Sequence, residues 1–251
     1  MTKIPTIGFI SAPAWFDPAP SEFSKVITEE VRTQQAPLLL PEFDYQLENI
    51  ASVQNELNLC AQSLKAIGCD VVAQVGSPFA WAKATSEAEA RSRNKAMMTA
   101  AHVPTLMTGL AIVDGLRRLG IKKVAVNCTY YEPDWREAFS QFLRLCGFDI
   151  IHVSTLSEQG LVASSAKMED IGWSMTPELA RKSIFFVAEA SPEAEAIVVT
   201  GAGTRTLDIL SDMEAQTKRP IIAADTILYW AIARELDLTL VPVMGSLANL
   251  T

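Results

Sequence analysis

Features that mark several large classes of protein are absent from this chain of 251 residues. The net charge is -8 and basic residues occur at most in pairs such as Arg117-Arg118, so a nucleic-acid partner is not expected. No apolar run approaches the roughly 18 residues of a membrane-spanning helix. The first ten residues lack the apolar length and cleavage pattern of a signal peptide. We therefore expect a cytoplasmic protein that has no membrane partner.

Metal-binding and disulfide patterns are missing as well. The chain has only a few residues of the relevant types, namely Cys60, Cys69, Cys128, Cys146, His102 and His152. The cysteines form no CxxC pair and do not share a zinc-type spacing with the histidines. We therefore expect neither a metal site nor a structural disulfide.

A repeated segment is the most informative feature that is present. An acidic residue, five mostly apolar residues and a glycine occur at 70–76 and again at 195–201. Each copy leads into a helix-compatible stretch and then into a strand opened by proline, at 103–108 and 219–224. This pattern predicts an α/β fold of two similar lobes related by internal duplication, each a mainly parallel sheet flanked by helices.

The composition agrees with two lobes, because 49% of the residues are apolar and 20% are charged, which allows a sizeable core in each. We place the first lobe at 1–112 and the second at 113–251, with the C-terminal segment able to pack back on the first lobe. Ligands of α/β proteins bind at the carboxyl edge of the sheet. We therefore expect the site in a cleft between the lobes.

The strand ends supply the first candidate site residues. Gly76 and Ser77 follow one copy of the repeated strand, and the run from Gly201 to Thr204 follows the other. Backbone N–H groups and hydroxyls at such ends can bind a small anion. The alternative is that these are ordinary strand-to-helix turns, in which glycine is selected for its backbone freedom.

Other segments are assigned by their pattern. Residues 4–10 predict the first strand, and the loop at 11–20 is expected to border the site. The apolar run at 36–41 has proline on both sides of its leucines and predicts a short strand near a sheet edge. The segment at 154–176 lacks periodicity and is a candidate lid or binding loop. Thr176 is a plausible N-cap for a helix over 177–190.

Together with these elements, the segment from Val124 to Tyr131 resembles the aspartate/glutamate racemase superfamily. Within that superfamily the chain most resembles the maleate isomerase and arylmalonate decarboxylase branch. In that superfamily each lobe commonly offers a cysteine at the end of the repeated strand. The resemblance places those positions at Gly76 and Gly201. Because a thiol of lowered pKa drives the superfamily's two-base racemisation, that chemistry is not expected here.

The resemblance also suggests how substrate carboxylates are held. Ser77 and Tyr130 match residues that bind one carboxylate, whereas Pro78 removes an amide donor. A second carboxylate would be bound by groups of the other loop, namely the N–H groups of Ala202, Gly203 and Thr204, the Thr204 hydroxyl and the Arg205 guanidinium. Tyr130 is alternatively a half-buried aromatic with a solvated hydroxyl, and Arg205 alternatively pairs with Asp208.

Three side chains and bound water are candidates for the proton donor. In order of preference they are Tyr130, Cys128, Asp225 and the water. Cys128 is alternatively a small buried hydrophobic residue, and Asp225 alternatively caps the helix that begins near Thr226. His152 is a further candidate base, with a surface or capping role as the alternative.

The resemblance implies an enzyme that isomerises or decarboxylates a small carboxylate without a metal or organic cofactor, through an enolate-like intermediate. One alternative is a hydratase or hydrolase that activates water with Asp225 or His152. Another is a catalytically inactive carboxylate-binding or regulatory protein. The expected partners are a small-molecule carboxylate and further copies of the chain, as a dimer or larger homo-oligomer.

Overall fold

The computed structural model describes residues 3–13, 17–40, 44–172 and 174–250. It divides into two compact units, which we call the first lobe (1–111 and 228–241) and the second lobe (112–227 and 242–251). Each lobe contains a four-stranded parallel sheet with flanking helices, which confirms the predicted fold class. The predicted boundary between residues 112 and 113 remains a prediction.

The first half of the chain alternates strands and helices. Its elements are β1 (Thr6–Ser11), α1 (Ala19–Phe23), β2 (Arg32–Pro37), α2 (Leu47–Ser52), α3 (Gln54–Ala66), β3 (Val71–Gln74), α4 (Pro78–Trp81), α5 (Glu87–Ala101), β4 (Thr105–Met107) and α6 (Thr108–Arg118). The strands lie in the order β2-β1-β3-β4 and all pair in parallel. Their carboxyl ends therefore meet at one edge, where ligands of α/β proteins bind.

The edge strand β2 does not coincide with the predicted one. The apolar run at 36–41 predicted a strand, but β2 covers Arg32–Pro37 and is mostly polar. A strand at the edge of a sheet need not be buried on both faces, so it can form from mostly polar residues. The side chains of β2 are accordingly exposed or half-buried. Pro41 and residues 14–16 of the predicted site loop lie outside the described residues.

The second half of the chain repeats the pattern. Its elements are β5 (Lys123–Asn127), α7 (Pro133–Leu145), β6 (Asp149–Ser154), α8 (Met168–Gly172), α9 (Pro177–Ala190), β7 (Ala196–Val199), α10 (Leu210–Thr217), β8 (Ile221–Ala223), α11 (Ala224–Glu235) and a 3₁₀ segment (Pro242–Asn249). The strand order β6-β5-β7-β8 is the order of the first lobe with each strand replaced by its repeat. The helix over 177–190 and its Thr176 cap, which accepts a hydrogen bond from Leu179 N at 3.2 Å, are as predicted.

Strand register defines which residues are equivalent in the two lobes. Gln74, the last residue of β3, pairs with Met107, and Val199, the last residue of β7, pairs with Ala223. Counting onward along each chain makes Gly76 equivalent to Gly201. The same count along the neighbouring strand makes Gly109 equivalent to Asp225.

The acidic residue of the repeat has the same structural role in both lobes. Asp70 Oδ2 accepts a hydrogen bond from Thr6 N at 3.0 Å, at the first residue of β1. Glu195 Oε2 accepts hydrogen bonds from Lys122 N at 2.6 Å and Lys123 N at 2.9 Å, at the start of β5. Each carboxylate therefore holds the amino end of the neighbouring strand, at the edge opposite to the ligand-binding one.

Candidate active site

The repeated glycines share an unusual backbone conformation. Gly76 has φ +97° and Gly201 has φ +91°. Residues with a Cβ rarely adopt such angles, so the bend after each strand itself requires glycine. Backbone freedom accounts for the glycine in both loops, and ligand binding by these loops stays a prediction.

The loop of the first lobe is held by close backbone packing. Ser77 is buried, and its carbonyl oxygen accepts a hydrogen bond from Ala80 N at 3.2 Å as α4 begins. Gln74 Nε2 donates to Gly76 O at 3.0 Å. A Cβ built on Gly109 would lie 2.6 Å from Ser77 O. The start of α6 therefore contacts this loop at a distance that only glycine allows.

Two buried polar atoms of the first lobe lack hydrogen-bond partners at the same sheet edge. Ser11 Oγ lies at the end of β1 and Gln74 Oε1 at the end of the adjacent β3, and neither has a partner among the described residues. Buried polar atoms are normally paired, by protein or by a bound molecule. The edge beside Gly76 and Ser77 therefore has unmet capacity for a polar ligand or water. Pro78, the first residue of α4, contributes no N–H.

In the second lobe a phenol fills the space beside the repeated glycine. Tyr130 lies in the loop after β5, and its hydroxyl accepts a hydrogen bond from Gly203 N at 2.9 Å. A Cβ built on Gly201 would lie 2.6 Å from both Cζ and the hydroxyl oxygen of Tyr130. The tyrosine ring thus stands where a side chain at position 201 would have to be. Tyr130 therefore packs on the Gly201–Thr204 loop of its own lobe, and its predicted sharing of a carboxylate with Ser77 stays a prediction.

Two of the three amides expected to bind an anion are already engaged. The Gly203 N–H donates to Tyr130, and the Thr204 N–H donates to Gly201 O at 3.0 Å. Within the described part of the chain, Ala202 N–H has no acceptor and the buried Thr204 Oγ1 has no partner. Arg205 Nη1 donates to Ala202 O at 3.2 Å, which shapes the loop from within. The second loop therefore offers one amide and one hydroxyl rather than three amides.

A short helix from the predicted lid segment packs on the same loop. Gly172 ends α8, and a Cβ built on Gly203 would lie 1.7 Å from its carbonyl oxygen. A Cβ built on Gly172 would lie 3.2 Å from Tyr130 Cε2. The segment at 154–176 thus contacts the Gly203 backbone and the Tyr130 ring through Gly172, as expected for a loop that borders the site.

Tyr130 also lines a cavity of about 280 Å³ within the second lobe. Its walls come from the loops that follow β5 and β6, and they carry Thr129, Tyr130, Tyr131, Glu132, Pro133, Thr155, Leu156, Ser157, Glu158, Val162, Ser164, Ser165, Ala166, Lys167 and Ile171. The lining includes hydroxyl, carboxylate, ammonium and apolar side chains. Tyr130 lines this cavity and also contacts the Gly201–Thr204 loop.

Cys128 is packed inside the second lobe. It is fully buried, and its N–H donates to Ser154 O at 2.9 Å. Burial raises the pKa of the Cys128 thiol far above its ordinary value, with the Arg136 guanidinium opposing that effect. A thiolate at this position is strongly disfavoured, so the geometry fits the alternative role of a small buried side chain.

Asp225 binds the end of the candidate loop. It lies in the first turn of α11 with 5% of its surface exposed. Its Oδ2 accepts a hydrogen bond from Thr206 N at 2.6 Å and its Oδ1 one from Thr206 Oγ1 at 2.7 Å. The carboxylate therefore binds the N–H and the hydroxyl of Thr206, a role that differs from both interpretations made from the sequence, a general base or a helix cap.

His152 lies within β6 and not among the loop residues. Its Nε2 is 2.9 Å from Ser154 Oγ, and the centroid of its ring is 6.4 Å from the centroid of the Phe186 ring. Burial lowers the pKa of His152, an effect that the Glu158 carboxylate opposes. The imidazole therefore packs as a mainly neutral group on the edge strand.

The sequence did not point to three residues that shape these loops, namely Gly109, Gly172 and Thr206. Thr206 continues the small-residue run that begins at Gly201, so a longer motif would have included it. Gly109 and Gly172 act through contacts with distant backbone, and no local pattern reveals such contacts.

The described residues hold no group of three or more His, Cys, Asp or Glu side chains placed to bind a metal. They also contain no helix with the length and apolarity needed to cross a membrane.

Comparison with known proteins gives consistent matches over the chain. The arylmalonate decarboxylase family model matches residues 7–248. Arylmalonate decarboxylase of Bordetella bronchiseptica is 24% identical, over 69% of this chain and 68% of its own. A solved arylmalonate decarboxylase structure has a TM-score of 0.81 at 20% identity and covers 98% of this chain and 100% of that one. The maleate isomerase Iso from Pseudomonas putida S16 has a TM-score of 0.79 at 20% identity, covering 98% of each chain.

Proposed function

The chain belongs to the arylmalonate decarboxylase family, and from that premise we propose that it is a cofactor-independent lyase or isomerase of a small carboxylate. Proteins of this family are decarboxylases and maleate isomerases, which are lyases or isomerases of small carboxylates. The proposed substrate is a dicarboxylate or a closely related acid. The proposed reaction passes through an enolate-like intermediate.

The observation that carries the proposal is the placement of Tyr130. Its phenol occupies the space beside Gly201 and accepts a hydrogen bond from Gly203 N at 2.9 Å. We take Gly76 and Gly201 as the positions where the wider superfamily has its cysteines. A phenol beside one of these positions supplies an acid where a thiol would otherwise stand.

The proposed proton transfer uses this arrangement directly. In a decarboxylation, the bond between the α-carbon and one carboxylate breaks, carbon dioxide leaves, and the electron pair delocalises into the remaining carboxylate. Tyr130 then gives its hydroxyl proton to the α-carbon, and water restores it. The Gly203 N–H stabilises the phenolate in between, because hydrogen bonds to an anion are strong when they are preorganised.

The remaining loop groups hold the carboxylates. The Ala202 N–H and the Thr204 hydroxyl are the donors that the second-lobe loop offers, and Ser77 is the carboxylate-binding candidate of the first-lobe loop. Such donors stabilise the negative charge that grows on carboxylate oxygens as the enolate forms. Ser11 Oγ is a further unpaired hydroxyl at the same sheet edge, whereas Gln74 Oε1 only accepts hydrogen bonds and suits water or a protonated group rather than a carboxylate.

The other proton-donor candidates rank behind Tyr130. Cys128 is fully buried and its thiol pKa is raised, so it is a poor acid or nucleophile. Asp225 already accepts two hydrogen bonds from Thr206. A hydratase or hydrolase would need Asp225 or His152 as its base. Asp225 is bound to Thr206 and His152 lies within β6, so neither residue is favoured for that role.

Proton NMR in deuterated water tests the proposal. The purified protein is incubated with phenylmalonate, methylmalonate, maleate and aspartate, and substrate loss and deuterium at the α-carbon are recorded together. We expect one of these acids to be consumed with deuterium incorporated at its α-carbon. Saturation transfer to a bound acid without conversion would contradict catalysis and favour the inactive binding protein. A decarboxylated product without α-deuterium would contradict the enolate. Malate formed from maleate would favour a hydratase, because hydration adds an oxygen to the product as well as solvent deuterium.

A further inference from the structure

We infer that Asp225 is a positioning residue, which clamps the Gly201–Thr206 loop in its substrate-binding conformation through Thr206. The inference rests on the proposed function, because the loop that is clamped is the one proposed to bind a carboxylate. It assigns to Asp225 a role other than acid, base or helix cap.

The geometry of the clamp is bidentate. Asp225 Oδ2 accepts from Thr206 N at 2.6 Å, and Oδ1 accepts from Thr206 Oγ1 at 2.7 Å. Thr206 is fully buried and Asp225 is 5% exposed, so solvent does not compete for these bonds. Two bonds in fixed directions define the position of Thr206 relative to α11. Asp225 also lies in the first turn of that helix, where the helix dipole favours a negative charge.

Thr206 in turn restrains the loop on both sides. Its carbonyl oxygen accepts a hydrogen bond from Ile209 N at 2.9 Å, which connects it to the start of α10. On its other side lie Thr204, with its unpaired hydroxyl, and the Gly203 N–H that binds Tyr130. Only Arg205 separates Thr206 from the nearest proposed ligand group, the Thr204 hydroxyl.

The first lobe achieves the same contact without a carboxylate. The residue equivalent to Asp225 is Gly109, whose backbone approaches Ser77 O so closely that a Cβ there would lie 2.6 Å from it. In the second lobe the loop between β7 and α10 spans ten residues (200–209), against three between β3 and α4 (75–77), and the Asp225 side chain reaches it by hydrogen bonding.

Two substitutions at Asp225 distinguish a clamp from a base. In Asp225→Asn, the amide oxygen can still accept from Thr206 N and the amide group can donate to the Thr206 hydroxyl, so the loop stays in place. In Asp225→Ala, both Thr206 donors lose their acceptor inside the protein. A general base would be abolished equally by both substitutions, because neither side chain can take a proton.

A third variant supplies a matched control. Glu214 accepts hydrogen bonds from Ile221 N at 2.8 Å and Ser246 N at 2.7 Å, at the opposite end of β8. Glu214→Ala therefore removes a comparable carboxylate clamp from the same lobe without touching the loop. It corrects for any general loss of stability.

The experiment measures kcat and KM for the acid that the wild-type protein converts, together with backbone hydrogen exchange of the peptide that covers residues 200–209. We expect Asp225→Ala to lower kcat/KM by roughly tenfold or more, the equivalent of one lost charge-assisted hydrogen bond. Asp225→Asn should keep at least about a third of the wild-type value, since it retains the bonds. Thr206→Val should cause little further loss when added to Asp225→Ala, because the two residues act as one unit.

The exchange data test the clamp without any ligand. Asp225→Ala should speed exchange in 200–209, and Glu214→Ala should not. Equal exchange in Asp225→Ala and wild type would overturn the inference, as would a kcat equally lost in Asp225→Asn and Asp225→Ala with KM unchanged. If wild type converts and binds none of the acids while Asp225→Ala loosens the loop, the proposed function fails and the clamp stands.

Discussion

The loops that follow β3 and β7 occupy equivalent places in the two lobes, but they differ in how they are held and in what they offer. The first is short, is packed backbone to backbone on Gly109, and presents Ser77. The second is longer, is clamped by Asp225, and holds the Tyr130 phenol against Gly203 N. The framework is therefore repeated, down to glycines at φ +97° and +91°, whereas the chemical groups are not.

This difference explains why the proposed chemistry is one-sided. An acid is placed beside Gly201, while the space beside Gly76 meets the ring of Phe79, with a built Cβ 3.3 Å from Phe79 Cε2. A phenyl ring has no acidic proton, so the residue beside Gly76 cannot protonate a carbanion. The proposed proton transfer therefore uses the second loop alone.

The largest expected loss of stability comes from a methyl group at Gly203. In Gly203→Ala the Cβ would lie 1.7 Å from Gly172 O, which forces the loop and α8 apart. We expect a loss of about 3 kcal/mol, the upper part of the range for overpacking. Gly147→Ala is the control, because Gly147 has φ +89° but open space, and should cost about 1 kcal/mol. Urea denaturation measures both, and equal losses would contradict the close packing.

In the first lobe, Gly109→Ala should also destabilise. Gly109 is in α6, and glycine to alanine in a helix ordinarily stabilises by roughly 0.5–1 kcal/mol. Here the Cβ would lie 2.6 Å from Ser77 O, so we expect the opposite sign and a loss of about 2 kcal/mol. A stabilised Gly109→Ala protein would show that the first loop is not held by close approach.

A smaller effect is expected from the acidic residues of the repeat. Burial alone would raise the pKa of Asp70, but the Lys3 ammonium and the Thr6 N–H outweigh it and lower the pKa below its ordinary value. The carboxylate therefore stabilises the fold fully above the unfolded-state pKa, and this contribution disappears as the pH falls through the lower folded-state pKa. Asp70→Asn should cost about 1 kcal/mol at neutral pH.

The comparison with the other lobe sharpens this prediction. The N–H groups of Lys123 and Lys122 lower the pKa of Glu195, which is exposed, so solvent screens its contribution. Glu195→Gln should therefore destabilise less than Asp70→Asn. Denaturation at neutral pH and again in acid, where both differences should shrink, measures the two. An unchanged gap between Asp70→Asn and wild type in acid would contradict the role of the Asp70 charge.

The smallest effect is expected at Cys128. Because burial raises its pKa, the native protein should not alkylate there, while the partly exposed Cys60 should react first. Cys128→Ala should retain most of the activity, with a modest loss of stability from the lost packing. Mass spectrometry after iodoacetamide treatment locates the label. Rapid labelling at Cys128 with loss of activity would make this thiol part of the mechanism.

The framework could be predicted from the sequence further than the site could. The repeat at 70–76 and 195–201 predicted both parallel sheets because buried parallel strands need continuous apolar runs, which are visible locally. The polar edge strand β2 was misplaced for the same reason, since it has no such run. Tyr130 was named from a resemblance, but its fit against Gly201 is a contact between residues 71 positions apart, and no local pattern encodes it.

Asp225 shows the same limit at a single residue. A carboxylate after a strand was consistent with a base or a cap, and only the fold reveals that Thr206 N–H and hydroxyl face it. The acidic residues Asp70 and Glu195 were visible in the repeat, but their role in holding β1 and β5 was not. Sequence periodicity locates strands and helices, whereas hydrogen bonds between distant loops depend on the three-dimensional arrangement.

The central claim is that Tyr130 delivers the proton, and solvent deuterium incorporation in Tyr130→Phe tests it most directly. Tyr229→Phe is the matched control, because it also removes a hydroxyl that makes a hydrogen bond, to Glu22 at 2.8 Å. With the acid that wild type converts, we expect Tyr130→Phe to lose about 100-fold or more in kcat, the typical size of general acid catalysis, and Tyr229→Phe to stay near wild type. If Tyr130→Phe incorporated deuterium at the wild-type rate, the claim would be contradicted and another group would be the proton donor.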